Sequence, residues 1–237
     1  MGVNHKSVYL LLANISSISF VLPIVFFMVF KRHSREKSLW VVFFYAVYCM
    51  FSEGFTFYLH IHKSQETPYF LFAIFTLLEY SCFSLFYIYS TQRTSVKRLV
   101  IVLWILFSAF CLIDYFFINK MNDFDSVTTG VESILIIILC IYYLVIQIRG
   151  SYTLTLYSTS NFWIIITFLI YLSGTFFLYI MAENMIQDLA FREQYIVINS
   201  SFNIIKNILL SVAMLMKTSP PANQSTNNKK IFEPFPS

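Results

Sequence analysis

Residues Asn161–Ala182 read NFWIIITFLIYLSGTFFLYIMA and contain no Asp, Glu, Lys, Arg or His. A helix needs about 20 predominantly apolar residues to cross a hydrocarbon core about 30 Å thick. A stretch of this length and composition therefore predicts a transmembrane helix. It is too long and too continuous for a strand of a membrane β-barrel, in which apolar and polar residues alternate over about ten positions.

The same criterion identifies six further stretches on either side of this one. We number the predicted spans one to seven in chain order: Val8–Phe30, Leu39–His60, Tyr69–Ser90, Leu99–Ile118, Val127–Ile148, Asn161–Ala182 and Gln194–Met216. The composition agrees, because 58% of the 237 residues are hydrophobic and only 12% are charged, against roughly 25% charged in soluble domains. A water-soluble enzyme is thereby excluded.

The prediction is an all-α, polytopic membrane protein with one seven-helix bundle over residues 1–216. Span one ends in the basic cluster at residues 31–35, which is typical of a retained helix rather than a cleaved signal peptide. We expect that helix to be kinked near Pro23. Residues 217–237 are rich in Pro, Asn, Ser and Thr and predict a disordered cytoplasmic tail.

The orientation follows from the Lys and Arg residues, which are enriched in cytoplasmic loops. Of the 16 Lys and Arg residues, eleven lie in loops and tails on one side of the predicted bundle, four lie on the other side, and Lys206 lies within span seven. The N-terminus is therefore predicted outside, and the C-terminus in the cytoplasm, of a bacterial inner membrane. The net charge of +4 then reflects orientation, and no nucleic-acid partner is predicted.

Five ionisable residues fall inside the predicted spans, where a charged side chain costs roughly 2.5–3.5 kcal/mol on insertion scales. They are Glu53 in span two, Glu79 in span three, Asp114 in span four, Glu132 in span five and Lys206 in span seven. Because intramembrane charges commonly mark a ligand or ion pathway, these five residues are candidate binding residues.

Glu79 and Lys206 are predicted to lie at matching depths. At about 1.5 Å per residue, Glu79 is ~15 Å from Tyr69 and Lys206 is ~18 Å from Gln194, each counted from the predicted outer end of its span. A lone Glu and a lone Lys near the bilayer midplane are expected to be partners, since neither is stable unpaired in hydrocarbon. The pair either fixes helix packing or binds a ligand and switches, and the sequence leaves both open.

Other polar residues accompany this pair. Asn199, Asn203 and Lys206 recur at helical spacing, so this face of span seven is expected to point into the bundle. His60 shares a helix face with the carboxylate of span two, and Tyr171 supplies a hydroxyl in span six. With the four carboxylates they predict a polar cavity that opens to the outside and binds a small ligand or ion.

Metal binding and catalysis are not predicted. His60 and His62 lie two residues apart and so do not share a helix face, which argues against a metal site. The enzyme motifs H-E-x-x-H and G-x-S-x-G are absent from the chain.

Lys206 in span seven and Glu79 in span three resemble the corresponding residues of microbial rhodopsins, where the Lys carries retinal as a Schiff base and the acid is its counterion. The resemblance would imply retinal on Lys206. However, Phe202 occupies the position four residues before the Lys, where those proteins usually have Asp. Span three lacks their Arg, and span six keeps Tyr171 without the Trp and Pro of the retinal pocket. Retinal binding is therefore a minor alternative, and no cofactor is predicted.

Several short stretches resemble uncharacterised bacterial seven-helix membrane proteins that look like stand-alone sensor modules. The stretches are Leu77–Tyr80 in span three, Phe162–Trp163 and Tyr171–Thr175 in span six, and Asn203–Asn207 in span seven. The resemblance extends along the chain and implies a seven-helix sensor.

Three functions follow as hypotheses. The first is a receptor-like signalling module that binds a small ligand or ion in the outward-facing cavity and signals to a cytoplasmic or membrane partner. The second is a small-solute or cation transporter with a midplane site and alternating access. The third is a membrane scaffold whose polar side chains only join helices.

Overall fold

The structure, a computed structural model, describes residues 5–32, 34–63, 69–118, 126–149, 157–185 and 188–217. Seven helical segments are long and apolar enough to cross a membrane, which confirms the predicted all-α architecture and number of spans. The helices are His5–Ser19, Val21–Phe26 and the π-helical turn Phe27–Lys31 in span one, Lys37–Lys63 in span two, Tyr69–Ser90 in span three, Thr94–Ile113 and the π-helical turn Asp114–Ile118 in span four, Ser126–Arg149 in span five, Ser160–Met185 in span six and Leu189–Leu215 in span seven.

Several helices extend beyond the predicted apolar stretches. Span seven begins at Leu189 rather than Gln194, and the Asp188 side chain caps it by accepting a hydrogen bond from Ala190 N at 2.9 Å. Apolar length measures only the part of a helix that suits hydrocarbon, whereas backbone hydrogen bonding continues into polar flanks. Residues 218–237 of the predicted tail lie outside the described residues.

Span one is interrupted close to its proline. Pro23 has no backbone N–H for the carbonyl of Ser19, four residues earlier, and its ring crowds that carbonyl. The α-helix ends at Ser19 and resumes at Val21, so the expected kink near Pro23 takes the form of a break at Phe20. Asn207 of span seven donates a hydrogen bond to Ser19 Oγ at 2.7 Å, which attaches the interrupted segment to its neighbour.

The order of packing decides which spans can face a central cavity. Span six lies between spans five and seven, and span seven contacts span one. Span one contacts span two, span two contacts span three, and span three contacts span five, which closes a ring of six helices. Span four packs mainly against span three and therefore lies outside this ring.

Aromatic side chains fill much of the interior and also cover the outside. Tyr45, Tyr80 and Phe83 are fully buried, whereas Phe117 and Phe177 are 76% and 70% exposed. Large exposed apolar rings are unfavourable in water but suit contact with lipid tails. The exterior is therefore compatible with a lipid environment along the spans.

One end of the bundle is held closed by contacts among spans one, six and seven. Lys31 Nζ donates to Met216 O at 2.5 Å. Lys217 N donates to Ser158 O at 2.9 Å, and Ser160 N donates to Lys217 O at 3.0 Å. We call these five residues the terminal clasp. It lies at the end of the bundle that the loop charges predict to be cytoplasmic.

Candidate functional site

A cavity of about 170 Å³ lies inside the ring of helices. Its described lining comes from all six helices of the ring and from none of span four: Phe20, Cys49, Ser52, Glu53, Thr56, Leu71, Phe72, Phe75, Thr76, Glu79, Thr129, Glu132, Tyr171, Leu172, Tyr179, Tyr195, Asn199, Asn203 and Lys206. In span seven the lining runs from Tyr195, near the start of the helix, to Lys206 in its middle. The cavity therefore occupies the half of the bundle opposite the terminal clasp.

A chain of hydrogen bonds crosses the floor of the cavity. Lys206 Nζ donates to the Tyr45 hydroxyl at 3.1 Å, and that hydroxyl donates to Glu79 Oε1 at 2.5 Å. All three side chains are buried. The structure thus brings the Lys and Glu of matching depth together, but a phenol from span two lies between them. Burial makes each of these bonds costly to lose, because a buried donor or acceptor that loses its partner keeps its desolvation cost.

Three aromatic rings surround the Lys206 ammonium. Its Nζ lies 4.0 Å from the centroid of the Tyr171 ring and 5.5 Å from those of Phe20 and Tyr45. The negative face of an aromatic ring attracts a cation within about 6 Å. The rings therefore stabilise a charge that would otherwise be isolated in the bundle, and they connect span seven to spans one, two and six.

A second hydrogen-bonded chain lines the wall above this floor. The hydroxyls of Tyr171 and Tyr179 lie 3.1 Å apart, and the Tyr179 hydroxyl donates to Asn199 Oδ1 at 3.1 Å. The Tyr171 ring is also the one closest to the Lys206 ammonium. The two hydrogen-bonded chains therefore meet at Tyr171, so a displacement of one can move the side chains of the other.

Seven of the nine predicted site residues line the cavity. They are Glu53, Glu79, Glu132, Tyr171, Asn199, Asn203 and Lys206. Of these, Glu53 also accepts a hydrogen bond from Ser17 Oγ, its Oε1 lying 3.2 Å away. Not every polar side chain of span seven faces the cavity. The side chain of Asn207 forms a hydrogen bond with span one instead.

The other two predicted residues do not join this set. Asp114 is buried, but its Oδ2 accepts a hydrogen bond from Thr128 Oγ1 at 2.9 Å, away from the cavity lining. The structure therefore does not bring Asp114 to the described lining of this cavity, because span four packs outside the ring. The side chain of His60 lies outside the described part of the structure.

Two tyrosines of the site were missed in the sequence. Tyr45 and Tyr179 do not stand out among 16 tyrosines, because the residue type is common in this chain. Helical spacing could have identified both. Tyr45 lies four and seven residues before the lining residues Cys49 and Ser52, and Tyr179 lies eight residues after Tyr171.

The carboxylates of the cavity are dispersed rather than clustered. Among the residues that the structure describes, no group of three or more His, Cys, Asp and Glu is placed to hold a metal ion. Lys206 is the only lysine in the described lining, so a retinal Schiff base, the minor alternative, would have to form there. The arrangement as a whole offers hydrogen-bond acceptors at several points around a small space.

Replacing Tyr45 by Phe should show how much the floor chain contributes to stability. The change removes the hydroxyl between Lys206 and Glu79 but keeps the ring, so we expect the free energy of unfolding to fall by about 1–3 kcal/mol. Tyr80→Phe is the matched control, because Tyr80 is as deeply buried as Tyr45 and its hydroxyl has no hydrogen-bond partner among the described residues. This substitution should cost less than about 0.5 kcal/mol. Denaturation by SDS in mixed micelles measures both, and equal losses would contradict the bridging role.

A comparison of the chain with protein-family models, with curated proteins and with solved structures finds no match in any of the three.

Proposed function

We propose that this chain is a receptor-like membrane sensor that binds a small ligand in the cavity and passes the signal to a cytoplasmic or membrane partner. The observation that carries the proposal is the cavity itself, whose lining comes from six helices and includes four charged side chains. Small-molecule sites are typically concave and largely apolar, with a few polar groups that converge on the ligand. The bacterial inner membrane, with the N-terminus outside, is part of the proposal and rests on the loop charges.

The floor chain gives a bound ligand a way to change the helix arrangement. Glu79, Tyr45 and Lys206 belong to spans three, two and seven, and each bond among them crosses between helices. A ligand group that bonds Glu79 Oε1, or the N–H of Lys206 that faces Tyr45, would compete with the Tyr45 hydroxyl. Ligand binding would then favour an arrangement in which this chain is altered, and a population shift of this kind is how a receptor responds.

Span seven offers a direct route from the cavity to the opposite end. It runs as one helix from Lys206 to Leu215, and the next residue, Met216, accepts the Lys31 hydrogen bond of the terminal clasp. A tilt or rotation of span seven would strain or release that clasp. A partner that recognises this end could respond, because the clasp joins spans one, six and seven.

A ligand panel tests the binding half of the proposal. The Tm of the purified full chain is measured by thermal denaturation in the presence of five separate classes of compound: amines, amino acids, carboxylates, sugars and metal salts. A ligand at 100 times its Kd stabilises the folded state by about 2.7 kcal/mol, which raises Tm by roughly 5–10 °C for a chain of this size. At least one class should raise the Tm of the wild type and of Asp114→Asn, whose substitution lies outside the cavity, but not of Glu79→Gln.

Hydrogen–deuterium exchange tests the signalling half. The amides of Ser160 and Lys217 are hydrogen-bonded within the terminal clasp, so their exchange rates report whether it opens. A ligand that raises Tm should change exchange at these two amides, although both lie at the far end of the bundle. Stabilisation without any change there would contradict a sensor. Accumulation of the same ligand in proteoliposomes would favour the transporter, and a panel without any hit would favour the scaffold.

A further inference from the structure

We infer that the cavity receives its ligand from the lipid phase, through an opening between spans one and two that a hydrogen bond from Ser17 to Glu53 closes. The ligand would be a small neutral alcohol with an apolar body. The inference rests on the proposed function and adds to it the chemical class of the ligand and its route into the cavity.

The ring of helices is packed unevenly around the cavity. The first helical segment of span one, His5–Ser19, packs mainly against span seven and only marginally against span two. Span two nevertheless supplies four residues of the described lining, whereas span one supplies only Phe20. The wall of the cavity between these two spans therefore consists of few side chains.

The side chain of Glu53 lies between the cavity and the outside of the bundle. It lines the cavity, and its Oε1 accepts a hydrogen bond at 3.2 Å from Ser17 Oγ, whose residue is exposed. The adjacent Gly54 is also exposed, and nothing lies within 4 Å of a Cβ atom built there. At this point the wall is therefore one carboxyl side chain and its hydrogen bond.

The exterior around this contact is apolar. Ser17 and Glu53 lie within helical stretches that are apolar and long enough to cross a membrane, and Ser17 is about 9 Å along the helix from Leu11, where its stretch begins. The nearby side chains of Ile18 and Phe51 are 70% and 69% exposed. Such surfaces suit contact with lipid tails, so an opening here would lead sideways into lipid.

The Ser17 hydroxyl can release Glu53 and remain hydrogen-bonded. Ser17 Oγ lies 3.1 Å from Ala13 O and 3.2 Å from Glu53 Oε1. A hydroxyl has one proton to donate, so it can turn from the carboxyl of span two to the carbonyl of its own helix. The Glu53 carboxyl is then available to a ligand hydroxyl that passes it.

The polar groups of the lining favour a head group that both donates and accepts. Asn203 lines the cavity, and its amide bonds no other residue that the structure describes. Within the same part of the chain, Glu79 is hydrogen-bonded only through Oε1, which leaves Oε2 for a ligand. A hydroxyl has one donor and two acceptor lone pairs. It can therefore bond the Asn203 amide, and it can bond a carboxyl in either protonation state.

The walls and the size of the cavity define the apolar body of the ligand. Aromatic rings favour apolar bodies, and six of them belong to the described lining, those of Phe20, Phe72, Phe75, Tyr171, Tyr179 and Tyr195. A dry cavity of about 150 Å³ in another protein holds benzene, and this cavity measures about 170 Å³. The fit is therefore to an alcohol with a body about the size of one ring, and such a molecule dissolves in lipid.

Three fluorinated probes of similar size test the class of ligand: para-fluorobenzyl alcohol, para-fluorotoluene and fluorodeoxyglucose. Fluorine NMR measures their binding to the full chain in nanodiscs, with the affinities of the first two referred to their concentrations in the lipid. The alcohol should bind about 3- to 10-fold more tightly than the toluene, as expected for one net hydrogen bond. The sugar does not enter lipid and should not bind. Equal affinities of the alcohol and the toluene, or binding of the sugar, would overturn the inference.

Exchange rates of the alcohol test the route. Line-shape analysis at equilibrium gives its rates of entry and exit. Ser17→Ala removes the contact with Glu53 but lies outside the described lining, so both rates should rise about 2- to 10-fold while the affinity stays the same. Ser108→Ala is the matched control, because Ser108 also donates to the carbonyl four residues earlier but belongs to span four, and it should change neither rate. Equal rates in the wild type and Ser17→Ala would exclude this opening.

A further variant locates the head group in the cavity. Asn203→Leu should remove most of the preference for the alcohol over the toluene and leave the affinity for the toluene unchanged, which shows that the cavity is still formed. Asp114→Asn changes a buried acid outside the described lining and should keep the whole preference. A preference that persists in Asn203→Leu would refute the proposed position of the hydroxyl.

The outcomes separate this inference from the function on which it rests. The alcohol joins the ligand panel as a sixth class. If one of the other five classes raises Tm and the alcohol does not bind, the inference is wrong and the receptor-like function stands. If the alcohol binds with the expected dependence on Ser17 and exchange at the clasp amides does not change, the alcohol site and its route stand and the sensor function is wrong.

Discussion

Replacement of Lys206 by methionine is expected to lower the free energy of unfolding by about 3–5 kcal/mol, the usual cost of removing one member of a buried charged pair. The substitution keeps much of the side-chain volume but leaves Glu79 and Tyr45 without their cation among the spans. Because small proteins are stable by only about 5–15 kcal/mol, the yield of folded protein should also fall. SDS titration of the purified variant, together with its yield from membranes, measures the effect.

A double-mutant cycle shows whether the loss comes from the floor chain. Lys206→Met combined with Glu79→Gln removes both formal charges, so the double variant should be more stable than the two single losses predict, by about 1–3 kcal/mol. Lys206→Met combined with Asp114→Asn is the control and should be additive, since Asp114 bonds Thr128 outside the cavity. If Lys206→Met does not fold, recovery of yield in the first double variant is the decisive result. If the stability losses of Lys206→Met and Glu79→Gln were strictly additive, the result would contradict a coupling of the two residues through Tyr45.

Gly174→Ala should destabilise the packing of span six against span seven. A Cβ atom at this position would overlap the ring of Phe202, so either the ring or the helix has to move. Overpacking of this kind typically costs about 1–3 kcal/mol, although alanine is intrinsically the better helix former. The melting temperature of the purified variant, with and without a cavity ligand, measures the loss.

Gly54→Ala is the matched control for this steric argument. Nothing lies within 4 Å of a Cβ atom built at Gly54, so the substitution should be neutral or stabilise the helix by up to about 1 kcal/mol. In a Phe202→Ala background the space opposite Gly174 is open, and Gly174→Ala should then lose most of its effect. A similar loss at both glycines would indicate that backbone flexibility, rather than the contact with Phe202, is what the protein requires.

The helices were largely predictable because the properties that define them are local. Length and hydropathy located all seven spans, and the proline in span one marked its break. The ends were placed less well. Span seven begins five residues before the predicted Gln194 because Asp188 caps it, and a cap depends on side-chain geometry that hydropathy does not measure.

The position of each site residue along its helix was predictable from the sequence, but the direction in which its side chain points was not. Seven predicted residues line the cavity, since a charged or polar group at membrane depth is expected to face inward and its depth follows from counting residues. Asp114 met the same criterion and lies elsewhere, because the sequence does not say that span four packs outside the ring. Tyr45 joins Lys206 to Glu79 only because the rotation of span two points its hydroxyl between them.

The sequence by itself determined the all-helical architecture, the number of helices long and apolar enough to span a membrane, and the position of each ionisable residue along its helix, because these depend on the order of residues along single helices. Only the tertiary structure decided which helices surround the cavity, which acid is left outside it and which tyrosine lies between Lys206 and Glu79. Those outcomes depend on the rotation of each helix about its own axis and on which helices are its neighbours. Both are set by packing between residues that are far apart in the chain.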